Sequence, residues 1–153
     1  MEAFTLYPKK IHIIRIDPGE DVLLEIGAFA RKADIRQAVV TGGYGTLVSH
    51  SLHWVTHNRI PTDNSFGKGE GGIEILSMNG MVVEHEPHIH VTLSTENGAY
   101  GGHMEPGCRA YVICEVFLVE VEGIDLRRVR VPVDIPGMGK GSISRLEADR
   151  GGK

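Results

Sequence analysis

The chain has 153 residues, of which 41% are hydrophobic and 24% charged, and its formal net charge is −4. That suffices for one domain with its own core, needing no disulfide staples, and the acidic balance recommends no nucleic-acid partner. No stretch reaches the ~18 apolar residues of a membrane span, and the start Met-Glu-Ala-Phe has no basic-then-apolar leader pattern, so no membrane partner and a cytoplasmic location are expected.

Residues 10–16 alternate as a strand. Asp17-Pro18-Gly19-Glu20-Asp21 then reads as a helix start, with Asp17 as cap, Pro18 in the first turn and Glu20 three residues on. Val22, Ile26, Phe29 and Ala33 follow at helical spacing, and Arg31 and Lys32 suit a last turn, so a helix is expected over 18–33. Residues 37–41 read as a strand ended by Gly42-Gly43-Tyr44-Gly45, which lacks the Lys-Ser/Thr of a phosphate loop. A strand over 47–56 and a polar loop over 57–71 come next. Residues 73–78 and 81–84 read as a hairpin around Asn79-Gly80. Strands follow over 87–94, 99–104, 110–122 and 126–133, with a turn at Glu96-Asn97-Gly98. The expected fold class is α+β: about eight mostly antiparallel strands with one main helix packed on them. Residues 1–133 form the expected domain, and 134–153, with Pro136 and several glycines, a loosely held tail.

Within 87–94, His88 and His90 share one strand face with Thr92 and Ser94, while Ile89, Val91 and Leu93 take the other. If Asn97-Gly98 is a two-residue hairpin loop, Thr92 faces His103 and His90 faces Glu105. His103 then lies diagonal to His90, on the same face, unless a bulge near Gly101-Gly102 turns it over. Three imidazoles fit a zinc ion with a fourth position open to a ligand. The plainer reading is three polar side chains on a half-exposed sheet face. His12, His50, His53, His57 and His85 lack this convergence and read as surface or packing positions.

Tyr111, Ile113, Glu115, Phe117, Val119 and Val121 form an apolar alternation broken by one acid. A buried carboxylate needs a partner, so Glu115 is a candidate acid/base, metal-associated group or ion-pair member with Arg15 or Arg109. Glu74, inside Ile73-Glu74-Ile75-Leu76, raises the same question. Cys114 and Cys108 make neither a CxxC pair nor a disulfide framework; Cys114, on the opposite face, reads as a small packing residue, while Cys108 sits close in sequence to His103, where a ligand role is the lesser reading. Arg127, Arg128 and Arg130 follow Glu120, Glu122 and Asp125, which reads as a solvated, mixed-charge face.

Five motifs in this order resemble the plant- and prokaryote-conserved (PPC) domain family: Arg15-x-Asp17-Pro18-Gly19-Glu20-Asp21; Gly72-x-Glu74-Ile75-Leu76-Ser77-Met78-x-Gly80; His88-x-His90-Val91-x-Leu93; Gly98-x-x-Gly101-Gly102-His103-Met104; and Gly107-Cys108. The resemblance covers about residues 8–122. It implies an antiparallel sheet with a packed helix, and a homotrimer. Plant members carry AT-hook DNA-binding motifs; this chain has no Arg-Gly-Arg-Pro core, so DNA binding is implied by family analogy only. The fold is also similar to that of α-acetolactate decarboxylase, which holds zinc with an H-x-H pair and a later His; His88, His90 and His103 match that pattern. The reading is a zinc-binding, trimeric PPC protein in a binding or regulatory role. The alternative is a zinc-dependent lyase or hydrolase acting on a small carbonyl or carboxylate ligand, with Glu115 or Glu74 moving the proton. A sequence-tolerant DNA binder, with affinity falling steeply in salt, is the third.

Overall fold

β-Branched residues on alternate positions, punctuated by turn chemistry, put most of this chain into antiparallel strands. The computed structural model describes residues 1–149. Among these, the elements are β1 (Tyr7–Arg15), α1 (Val22–Lys32), β2 (Gln37–Val55), β3 (Asn64–Val83), β4 (Glu86–Thr95), β5 (Gly98–Met104), β6 (Arg109–Glu122), β7 (Leu126–Ile135) and β8 (Gly139–Ala148). This is the α+β class expected, with one helix and mostly antiparallel strands.

Six strands form one sheet in the order β1-β6-β2-β3-β4-β5, and β5 also pairs with β2 at Leu52 and His53. That last pairing closes β2, β3, β4 and β5 into a ring. The 19-residue β2 makes it feasible: its first half pairs with β6, its length pairs with β3, and its end reaches β5. The core lies inside, built from Ile26 and Ala30 of the helix, Leu47 and Leu52 of β2, Met78 and Val82 of β3, Ile89, Val91 and Leu93 of β4, and Cys114, Val116 and Leu118 of β6.

Several boundaries differ from expectation. The helix begins four residues later than expected. Its cap is Asp21, whose Oδ1 accepts from the Leu24 amide at 3.2 Å, while its Oδ2 accepts from the Gly107 amide at 2.6 Å. Asp17-Pro18-Gly19-Glu20 instead closes a turn, the Glu20 amide bonding to the Asp17 carbonyl at 3.1 Å; Pro-Gly is as much a turn signal as a helix start. Asn79-Gly80 lies within β3, and the reversal falls at Glu84-His85, both with positive φ (55° and 66°) as a two-residue hairpin loop demands. Gly80 is small for another reason: a Cβ there would sit 2.1 Å from the carbonyl oxygen of His88. The Gly42–Gly45 run does not end β2, which passes through it with register shifts. The expected 57–71 loop is also half strand: Gly67 and Gly69 lie under the side chains of Trp54 and His50, where a Cβ would come within 2.7 and 2.4 Å.

Residues expected as a loose tail enter β8, paired with β7 from Leu126↔Ala148 to Ile135↔Gly139. Pro136 and Gly137 serve as the reversal. Half-buried Val129, Val131, Val133 and Ile143 give this hairpin an apolar face, and the Ile60 amide bonds to the Met138 carbonyl at 2.7 Å. Residues 150–153 of the expected tail lie outside the described residues. Among the described residues, no helix is long and apolar enough to cross a membrane.

The largest reversal concerns β6. Its core face is Ala110, Cys114, Val116 and Leu118, so Cys114 packs inside as expected. The face carrying Tyr111, Ile113, Glu115, Phe117, Val119 and Val121 points outward. It continues onto β1, where Ile11 and Ile13 oppose Val119 and Phe117 and are 75% and 68% exposed. Alternation alone cannot tell which of two apolar faces is interior.

Candidate metal centre

His88 and His90 alternate with Ile89 and Val91, whose burial fixes the histidines on the outer face of β4. β5 returns antiparallel through a two-residue loop, Glu96-Asn97, since Thr95 pairs with Gly98. The loop is thus one residue earlier than the Asn97-Gly98 reading, and His103 lies directly opposite His90 rather than diagonal to it. The parity of the face is unchanged, because the shift moves both strands by one position. No bulge interrupts Gly101-Gly102.

The three rings meet. Ring centroids are 4.4 Å apart for His88 and His103, 5.2 Å for His90 and His103, and 5.4 Å for His88 and His90. One ring nitrogen from each lies within 4.8 Å of the others. Around a tetrahedral ion with Zn–N bonds of ~2.0–2.1 Å, ligand nitrogens stand roughly 3.3–3.4 Å apart. Three imidazole nitrogens in mutual reach form a donor set that suits a borderline-soft divalent cation.

Their protonation favours the same chemistry. Burial, reinforced by the neighbouring His88, pushes the His103 imidazole down to about 4. His88 is lowered by burial first and then by the charge of Arg128. Both rings are therefore neutral near pH 7, the state that coordinates a metal.

The ring closure adds two residues to the neighbourhood. His53 of β2 pairs with His103 of β5, and their rings stack at 4.2 Å with 29° between planes. His53 Nδ1 lies 2.7 Å from Glu105 Oε1. His53 read as a surface or packing position because 50 residues separate it from His103, and a β2–β5 pairing leaves no local trace. In the sequence Glu105 enters only as the residue opposite His90; its place two residues after His103, on the same face, is the usable signal.

The two acids singled out in the sequence lie elsewhere. Glu115 opposes Arg15 on β1 and Tyr44 on β2, and its carboxylate accepts a hydrogen bond from the Tyr44 hydroxyl. That bond raises the Tyr44 phenol above its usual range. Tyr44 and His53 are nine residues apart along β2, a separation on the order of 30 Å for a straight strand. Glu74 is exposed on β3 opposite Ser94, four residues from His90 and roughly 13 Å along the strand. Neither stands in the histidine cluster.

A family model for the Plants and Prokaryotes Conserved (PCC) domain matches residues 6–122, from the start of β1 to the end of β6. The chain belongs to this family. β7 and β8 follow the matched segment. Two solved structures match this chain over most of its length. The metal-containing protein AF0104 from Archaeoglobus fulgidus is 25% identical, with a TM-score of 0.73 over 84% of this chain and 91% of that one. A PPC protein from Pyrococcus horikoshii is 28% identical, with a TM-score of 0.72 over 84% and 90%. Among curated proteins, the bifunctional protein GlmU of a Synechococcus strain is 28% identical over 112 residues. The match takes in 72% of this chain but spans only 17% of that relative's length.

Proposed function

We propose that this PPC protein is a homotrimeric zinc-binding protein in a binding or regulatory role, with His88, His90 and His103 as the metal ligands. The observation that carries the reading is the convergence of three imidazole nitrogens to within 4.8 Å on an outward sheet face. A likeness to a metal-containing protein supports it. When bound there, zinc would supply a Lewis-acidic position open to an outside ligand. The chain's own contribution is to hold the three rings together: Gly80 lets β3 press against the His88 backbone, and the β4–β5 register sets His90 against His103. His90 is exposed, which suits reception of a ligand from solvent more than an enclosed reaction chamber. A cavity of about 350 Å³ is lined instead by Ser49, His50, Ser51, Lys68, Gly107 and Arg109 among others, with none of the trio in its wall.

Assembly of like copies is supported by the outward apolar face of β1 and β6. Ile11, Ile13, Tyr111 and Ile113 are each at least half exposed, and contiguous apolar patches of this kind mark interaction surfaces. The net charge of −4 gives DNA phosphates no general attraction, so no DNA role is included. One observation favours the enzyme reading, a zinc lyase or hydrolase on a small carbonyl or carboxylate: a carboxylate does stand beside the cluster, but it is Glu105, not Glu74 or Glu115.

The test is elemental analysis of protein purified without a histidine tag. About one zinc per chain is expected, and the double variant His90→Ala, His103→Ala should retain almost none. Unchanged stoichiometry in that variant rejects the ligand assignment.

A further inference from the structure

His103 belongs to two clusters at once. On one side are His88 and His90; on the other are His53 and Glu105, whose ligating atoms also lie within 4.8 Å of each other and of His103. The second cluster is built by backbone pairing rather than by chance approach of long side chains. His53 and His103 are register partners, and the Glu105 amide bonds to the Ser51 carbonyl at 3.0 Å. The β2–β5 alignment therefore continues past the end of β5, keeping Glu105 on the face of His103. The side chains of His53 and Glu105 are only 16% and 29% exposed, and the Phe66 ring lies 5.5 Å from that of His53.

The two sets differ chemically. One offers three imidazole nitrogens; the other offers two imidazole nitrogens and a carboxylate oxygen. A carboxylate suits harder divalent ions such as manganese, whereas an all-imidazole set suits zinc and its neighbours. We propose that His53, His103 and Glu105 form a second cation seat for a harder divalent ion. Because His103 serves both seats, filling one empties the other, and the centre exchanges ions rather than holding two. This goes beyond the three-histidine assignment and is testable apart from it.

The probe is Mn²⁺ alone, followed by loss of the free-ion electron paramagnetic resonance signal on addition of metal-stripped protein. Wild type is expected to take up about one Mn²⁺ per chain and to release it when one equivalent of Zn²⁺ is added. Glu105→Gln, which retains a hydrogen-bonding side chain but removes the charge, should weaken Mn²⁺ binding by about ten-fold or more while leaving zinc stoichiometry intact. That retained zinc also certifies the variant's fold; His53→Ala is the second variant if Glu105→Gln does not fold. His90→Ala should lose zinc and keep Mn²⁺. The proposal is overturned if wild type takes up no Mn²⁺, if Glu105→Gln and His53→Ala bind it as wild type does, or if His90→Ala loses it. A His90→Ala variant that keeps zinc counts against the three-histidine seat alone.

Discussion

Two outward faces of one sheet have opposite characters. On β4 and β5 the outward positions hold His88, His90 and His103, whose rings converge. On β1 and β6 they hold Ile11, Ile13, Ile113 and Phe117, with a single acid, Glu115, tied to Tyr44. Strand alternation produced both faces by the same rule, yet one collects ligand nitrogens and the other collects surface that water solvates poorly. The comparison teaches that a polar break in an apolar alternation is weak evidence of a site. Several donors brought to one point are stronger evidence.

The sharpest way to separate the faces is to damage them one at a time. Ile13→Asp places a charge in the middle of the apolar face, where burying an unpaired carboxylate is costly. If that face joins copies, the variant should dissociate to monomers at concentrations where wild type is assembled, a shift of ten-fold or more in the association midpoint by light scattering. Its metal content per chain should not change. An unaltered mass would remove the apolar face from the interface.

A smaller effect is expected from acid on the histidine face. His103 titrates near 4 in the folded chain and at about 6.5 when unfolded. Between those values the unfolded chain binds more protons, so stability falls as pH drops from about 6.5 toward 4 and is fully present above that window. His88, lowered in the same direction, adds to the trend. Urea midpoints of chelator-stripped protein at pH 7 and pH 4.5 should show it, and His103→Ala should flatten the profile. Equal midpoints in wild type would contradict the burial assigned to this ring.

The smallest effect concerns the acids first suspected of chemistry. Glu74→Gln should leave zinc content unchanged and shift stability by less than about 0.5 kcal/mol, as exposed positions do. Glu115→Gln should likewise spare the metal, since its partners are Tyr44 and the facing Arg15. Loss of zinc in either variant would return that residue to the site.

Much of the centre was legible because it is local. His88 and His90 share a face by spacing, and His103 joins them across a short turn. Even a loop placed one residue late left the face right, since parity survives a shift of both strands. The surroundings of Glu115 were not legible, for the complementary reason. β6 has two apolar faces, and nothing within its own residues says which one the helix covers.

The sequence by itself determined the class of fold, the strand carrying two histidines, and the hairpin that returns the third, because alternation and turn preference act over a few residues. Tertiary structure alone decided that Asn79-Gly80 runs on through β3, that the apolar face of β6 looks outward, and that β2 bends round to meet β5. Each of these depends on residues far apart in the chain. The stacking of His53 on His103 is the clearest case: it exists only because the ring of strands closes, and closure is set by how the whole core packs.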